Sequence, residues 1–571
     1  MFTTSSIFLK TLAEAGVTHA FVNWGSDHPA LLEDLQRQRV EEGRVSLEII
    51  TCPNEMVALS CAQGYAQVSG KPAAVFIHVD VGTQALGGAV HNVDRGRIPV
   101  LIYAGAAPFT LDGELKGSRN EFIFGLQDAL DQPSIVRQYM RYTSQISSGK
   151  NVAQVVMRAL QFAKSDPQGP VYLWGRREVM EEEYTPTDFR PIDNKNWPPL
   201  ERMPISHSTS HQIAESLAMA ESPLIITSYL GRNPSAVQVL IKLSEALAIP
   251  VYLSCPSSVS FPLTHPHFVG LSYGMGENKW LCEADVILVL DADIPWIPVH
   301  NRPKPDARIF HIDVDVLKQY MGMFHIDAQI TAKADCELSL IAILDALQYL
   351  QLDEGKLSLR RAEINTHHET WVNTLRQNET LSENDSNSVP YLISRVRELV
   401  PPKTLFLNEG ISNFVPVWSH LLPSKPGSVI TSGASSLGWA LGAAIGCTLA
   451  QRSYPEAINH ELIAVIVGDG SFLFGVPSSA YWIANRYKTS PKLSMLGVYP
   501  KGVGSQAMSF DLDVTFGPES PDYSGVAIAA GKAWGKRVTC AQEIDQALKD
   551  AISVVLKEKR CAVLDIILEE L

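Results

Sequence analysis

Short apolar runs alternate with amphipathic stretches along almost the whole chain. Runs such as "HAFVNWG", "AAVFIHV", "PVLIYAG" and "PVYLWG" are dense in β-branched and aromatic residues, as buried strands are. Strands alternating with helices predict parallel sheets covered on both faces, because each parallel pair needs a crossover and the crossover helix shields the sheet.

The pattern falls into three blocks. The first spans 1–185, and the proline-rich, charged "REVMEEEYTPTDFRPIDNKNWPPLERMP" that follows reads as a linker. The second, 200–355, holds "SPLIITSYLG", "IPVYLSC", "ADVILVLDAD" and "ARIFHIDVD". After the polar "RQNETLSENDSNSVP" the third, 385–571, holds "TLFLNEG", "SVITSGA", "LIAVIVGDG" and "CAVLDIILEE". The predicted fold is therefore α/β, with three doubly wound parallel-sheet domains. The blocks are alike in size and pattern, without a strict internal sequence repeat.

Composition narrows the function. A chain of 571 residues exceeds what one core holds. The formal charge of −14 leaves no basic surplus for phosphate backbones or anionic lipid, so neither nucleic acid nor membrane is an expected partner. Eight cysteines lie scattered with no C-x-x-C pair, which fits reduced thiols better than zinc or disulfides. The chain opens on an amphipathic helix pattern, "SSIFLKTLAEAGV", and "ITSGASSLGWALGAAIGCTLA" is broken by glycine and serine. A cytoplasmic protein is expected.

Three stretches could carry chemistry. In "ELIAVIVGDGSF" a buried strand ends in Gly468-Asp469-Gly470-Ser471, at the carboxyl end where parallel sheets bind ligands. Glycines allow a phosphate to approach the backbone, and Asp469 offers a hard oxygen to Mg2+; a capped strand-to-helix turn reads equally well. In residues 51–105 Pro53 opens a helix with Glu55 in its first turn, and His78 ends a strand. Alone, these read as a helix-start carboxylate and a structural histidine. The small residues of "ITSGASSLGWALGAAIG" permit close helix packing or a backbone cradle.

Together, and in this order, the three stretches resemble the thiamine-diphosphate enzymes of the acetohydroxyacid synthase, benzoylformate decarboxylase and pyruvate decarboxylase superfamily. "EMVALSCAQGYAQVSGKPAAVF" is similar to the family's glutamate-bearing segment, "IPVYLSCPSSVSFPLTHPHFVG" and "ARIFHIDVD" to its middle domain, and "LGWALGAAIG" and "VGDGSF" to its diphosphate domain. "IHVDVGT" (77–83) and "SLGWALGAAIG" favour the benzoylformate decarboxylase side. "DADIPWIP" lacks the arginine-bearing pattern of the flavin-binding synthases, which makes FAD doubtful.

The resemblance implies a pyrimidine-binding first domain, a middle domain and a diphosphate-binding last domain. It implies thiamine diphosphate and Mg2+ as cofactors and a small 2-oxo acid as substrate. Glu55 would exchange a proton with the cofactor's aminopyrimidine ring, whose imino form then takes the thiazolium C2 proton. The thiazolium serves as electron sink while CO2 leaves, and an aldehyde or acyloin is released. His78 would be the substrate-side acid or base, with Gly82, Thr83 and Gln127 beside it. Ser412, Leu437, Gly438, Gly468, Asp469, Gly470, Ser471 and Phe472 would hold the cofactor, Leu437 propping its bent shape and Asp469 binding the metal. Family members build the site between subunits, so a homodimer or homotetramer is implied.

One element of the family motif is missing. An Asn-Asn pair normally ends the strand after "GDGS" and completes the metal site. Here the last asparagine of the chain is Asn485, inside the helix pattern "PSSAYWIANRYKT", and the text runs directly into "SPKLSMLGVYPKG". Three readings stay open. A segment is skipped in the gene model; "KLSMLGVY" is the strand, with a backbone carbonyl or Asp511 as substitute ligand; or the fold persists without catalysis, in a structural or regulatory subunit. A nucleotide-binding role for the middle block lacks a G-x-G-x-x-G fingerprint.

Overall fold

The protein is described from a computed structural model. It describes residues 2–185, 192–319, 321–322, 326–381, 386–489, 493–499 (backbone only) and 521–568.

Three six-stranded sheets, parallel throughout, carry the fold. The first runs in the spatial order 48–51, 19–22, 73–77, 100–106, 171–176, 142–146. The second runs 268–272, 251–254, 223–227, 286–290, 308–313, 330–333, and the third 429–430, 404–409, 462–467, 493–499, 562–567, 534–538. Counted along the chain, the first and third sheets share the order 2-1-3-4-6-5, whereas the middle sheet is 3-2-1-4-5-6. The last is the dinucleotide-fold order. Segment 183–184 does not act as a free linker, since it pairs antiparallel with Phe2–Thr3. The middle unit also runs past residue 355: helix Glu354–Asn378 packs back on it, with Arg360 donating to the carbonyls of Leu247 and Ala220 at 2.7 Å each.

"KLSMLGVY" does supply a strand. Leu493–Tyr499 lies between 462–467 and 562–567, hydrogen-bonded to both, so the third sheet is closed through its centre. Asn485 lies inside helix Pro477–Arg486, away from that strand's carboxyl end. Asp511, with the rest of residues 500–520, lies outside the described residues.

The first and third units are joined by two helices, Glu55–Ser69 and Ala440–Ser453, that cross with almost no side chain between them. A Cβ on Gly442 would sit 2.7 Å from Ser60 Cβ, and one on Gly446 would sit 2.6 Å from Tyr65 N. The small-residue pattern of "LGWALGAAIG" is therefore a packing surface along the helix, with its cradle confined to the turn before it.

Candidate active site

Asn54 caps helix 55–69, its side chain accepting from Val57 N at 3.1 Å, so Glu55 is the first helical residue. Asn23, just past the strand 19–22, donates from Nδ2 to Glu55 Oε1 at 2.9 Å. That bond fixes one carboxylate oxygen. Gly82 lies alongside, where a Cβ would stand 3.3 Å from the same oxygen.

His78 caps helix 79–85 at the carboxyl end of strand 73–77. Its Nδ1 meets Asp27 Oδ1, and its Nε2 meets Gln127 Oε1 at 2.8 Å. Two acceptors facing two ring nitrogens suit an imidazolium, which donates at both. Burial pushes the His78 pKa down, but the Asp27 hydrogen bond and charge outweigh it, with Gln127 adding to them, and the net shift is upward. Burial would raise Asp27, yet its two histidine neighbours and the Val79 N–H hold it below the usual carboxylate range. His28 is fully enclosed and burial keeps its pKa low, so of the two histidines His78 holds a proton the more readily.

The predicted neighbours divide. Gly82 donates its N–H to His78 O at 2.7 Å, and Gln127 touches the His78 ring. Thr83 is turned inward: its hydroxyl is bonded to Val79 O at 2.8 Å and Tyr172 OH at 2.9 Å and is fully buried. It braces the wall of the site and presents no group to a substrate.

In the third unit, Glu409 ends strand 404–409 and takes three backbone N–H groups. Gly438 and Trp439 donate to Oε1 at 2.7 and 3.0 Å, and Ala440 to Oε2 at 2.8 Å. The amino end of helix 440–453 is thus capped from within, which leaves the turn at 468–471 as the place for an anion's oxygens. Burial raises the Glu409 pKa to about 7 in spite of those donors. Gly438 adopts a φ of 93°, and a Cβ there would lie 2.8 Å from Gly475 N. The turns 437–438 and 468–475 therefore form one continuous backbone surface, with Leu437 half-buried at its edge.

Asp469 begins the short helix 469–474 after the Gly468 cap, half-buried, with Oδ1 accepting from Gly470 N at 2.7 Å. Burial raises its pKa against that hydrogen bond. Ser471 is buried beside it, and Ser412 lies exposed in the turn after Glu409. Phe472 points away into the core, its ring 5.4 Å from that of Tyr523, so only its backbone can face a cofactor. Among the described residues no three His, Cys, Asp or Glu side chains gather into a metal cage. A single carboxylate nevertheless suits Mg2+ bound to a diphosphate, where phosphate oxygens and water supply most ligands. The donor set fits thiamine diphosphate with Mg2+: a glycine-lined backbone surface, one hard carboxylate, and a separate carboxylate at Glu55.

Sequence reasoning missed Asp27, Asn23 and Glu409. Each lies at or just beyond the carboxyl end of a sheet's first strand, in "HAFVNWGSDH" and "TLFLNEG". That position was the available signal, since ligands of parallel sheets bind there.

Three α/β units, with a carboxylate at Glu55 in the first and at Asp469 in the third, form the arrangement expected of a thiamine-diphosphate protein. Family models agree along the chain: thiamine pyrophosphate enzyme N-terminal TPP binding domain over 2–135, central domain over 210–342, and C-terminal TPP binding domain over 410–566. The chain belongs to the thiamine pyrophosphate enzyme family. It is 24% identical to benzoylformate decarboxylase of Pseudomonas aeruginosa over 97% of both chains. It is 24% identical to sulfoacetaldehyde acetyltransferase of Castellaniella defragrans, covering 99% of this chain and 93% of that one. Acetolactate synthase of Bacillus subtilis is 22% identical over 82% of this chain and 77% of its own. Among solved structures, benzoylformate decarboxylase from Polynucleobacter necessarius superposes with a TM-score of 0.77 at 20% identity, covering both chains fully. The 4-hydroxybenzoylformate decarboxylase of Rhodococcus jostii RHA1 gives 0.75 at 20% identity, covering 100% and 99%. Among the described residues no helix is long and apolar enough to cross a membrane.

Proposed function

We propose that the protein decarboxylates a 2-oxo acid with thiamine diphosphate and Mg2+, releasing an aldehyde or passing the acyl unit to a second carbonyl. The observation that carries this reading is His78, its two ring nitrogens held between Asp27 and Gln127 at the loop that also borders Glu55. When bound, the cofactor supplies the electron sink for loss of CO2. Glu55 would exchange a proton with the bound cofactor through the oxygen that Asn23 leaves unengaged. Asp469 would hold the metal, and the backbone of 468–471 would hold the diphosphate. His78 delivers a proton from Nε2 to the substrate, Gln127 yielding its place at that nitrogen, while Asp27 keeps the ring oriented and charged.

The working form is a homo-oligomer in the cytoplasm. Phe109, Leu111, Leu115, Phe122, Leu126 and Leu130 stand exposed on the segment that also carries Gln127, an apolar surface of the kind subunits cover. None of the eight cysteines forms a disulfide among the described residues.

A non-catalytic subunit is the second reading, because no asparagine follows Asn485. Calorimetric titration of thiamine diphosphate with and without Mg2+, followed by a turnover screen over 2-oxo acids, separates the two. Tight Mg2+-dependent binding with turnover supports the enzyme; a folded chain that binds no cofactor supports the subunit.

A further inference from the structure

Asp27 meets a second histidine through its other oxygen. His28 closes the turn 25–28, which lies between strand 19–22 and helix Pro29–Glu41. The side chains of Asp27 and His28 are both fully buried. Trp24 meets the His28 ring edge-on with centroids 5.6 Å apart, and the Tyr103 ring lies 6.1 Å away.

The backbone fixes the tautomer of this ring. Gly25 N donates to His28 Nδ1 at 3.1 Å, while His28 N donates to Gly25 O at 3.1 Å. A backbone N–H cannot accept, so Nδ1 offers its lone pair and carries no proton. The ring is therefore neutral, with its one proton on Nε2. That nitrogen stands 3.5 Å from Asp27 Oδ2, too far for a full hydrogen bond. It forms no hydrogen bond among the described residues, and the Ile77 carbonyl faces the same ring. Asp27 thus feels an oriented N–H dipole, in a buried place where little solvent screens it.

The Asp27 carboxylate is divided among its neighbours. Oδ1 meets His78 Nδ1, whereas Oδ2 accepts from Val79 N at 3.1 Å and faces His28. Gly105 leaves no room beside Oδ2, where a Cβ would overlap the oxygen. Every N–H turned to Asp27 stabilises its negative charge, which lessens the pull left for the His78 proton. Asp80 is the other carboxylate whose charge reaches His78. Tyr103 and Tyr172, near Asp27, are kept neutral by burial.

We propose that His28 is a positioning residue acting through Asp27: its neutral Nε2–H, locked in place by Gly25, loosens the hold of Asp27 on the His78 proton. A group that gives up a proton and regains it works best when neither state is held too firmly. The role in turnover rests on the proposed decarboxylase reading, but the effect on the His78 proton does not. The sign separates this role from a purely structural one. Asp27 strengthens the proton affinity of His78, so disturbed packing around Asp27 would weaken it. Loss of the His28 dipole alone is expected to strengthen it.

The test is NMR titration of the full-length, cofactor-free protein with isotope-labelled histidine rings. The His28 and His78 signals are assigned by their loss in His28→Gln and His78→Gln. Between about pH 5 and 9 the unaltered protein is expected to show His28 protonated on Nε2 alone, without titrating. His28→Phe keeps the ring's shape and drops the N–H. His28→Asn keeps an acceptor for Gly25 and drops the N–H toward Asp27. Both are expected to raise the His78 midpoint by roughly half to one pH unit, about three- to tenfold in proton affinity. His28→Gln restores an N–H at that reach and is expected to bring the midpoint back to within about 0.3 of its unaltered value. A His28 that titrates in this range, or carries its proton on Nδ1, overturns the proposal. So does a His78 midpoint that is unmoved or lowered in a folded Phe or Asn variant. The tautomer is read on the unaltered protein, so the proposal stays open to refutation even where neither variant folds. Failure of the decarboxylase reading shows up separately, as absent thiamine diphosphate binding with this order of midpoints intact.

Discussion

Asp27 and His78 form one acid–base pair, and two glycines make room for it. A Cβ on Gly25 would stand 2.6 Å from Asp27 Oδ1, and one on Gly105 would stand 2.8 Å from Asp27 Cβ. The pair is set by backbone that tolerates no side chain on either flank.

Asp27→Asn removes the charge that keeps His78 protonated. The turnover of the active enzyme should fall by roughly 10²-fold at neutral pH, and the alkaline limb of its profile should move to lower pH. A histidine pKa raised above its ordinary 6.5 stabilises the fold below that value and ceases to as pH rises through the folded pKa. The variant should therefore lose stability chiefly on the acid side of that window. NMR titration of the His78 ring, with melting curves across pH 5–9, checks both expectations.

Glu409 predicts a slope of the same sign, beginning at lower pH. Its folded pKa of about 7 exceeds the ordinary 4.5, so the native state holds this proton after the unfolded chain has released it. Stability from this residue falls as pH rises from 4.5 toward 7. Glu409→Gln should flatten that slope, while setting an amide against three N–H donors at a cost of about 1–3 kcal/mol. Urea unfolding of both proteins at several pH values measures the difference.

Gly446→Ala forces a methyl group into the backbone of helix 55–69 and should destabilise the protein by about 1–3 kcal/mol. Gly446→Val should do more. The damage should appear as weakened docking of the first unit on the third, read as faster amide exchange along both helices.

Asp469→Ala should leave the fold intact, because Asp469 bonds only its neighbour's N–H in the described structure. Thiamine diphosphate binding should lose its Mg2+ dependence, and chelation of Mg2+ from the parent protein should reproduce that loss in calorimetry.

The central strands were legible in the sequence and most of the edges were not. Segments 48–51, 142–146, 330–333 and 534–538 each lie at a sheet edge and are only partly covered over most of their length. Half-solvated edges carry no continuous apolar run to read. In the candidate site, Glu55, His78 and Asp469 were visible because each sits at a helix start beside a buried strand. Asp27 and Glu409 were not, since what distinguishes them is which N–H or ring nitrogen they meet from sequence-distant segments. The inward turn of the Thr83 hydroxyl was not legible, because only the fold reveals Tyr172 behind it.

The shared strand order of the outer sheets has a consequence for the crossed helices. Glu55–Ser69 and Ala440–Ser453 each follow the second strand of their sheet and precede the third, so they are counterparts. Their contact is that of a two-fold dimer whose partners are fused into one chain, each meeting the other through the same element. The matching helix starts carry different groups: one opens on the Glu55 carboxylate, whereas at the other the N–H groups of 438–440 are spent on Glu409.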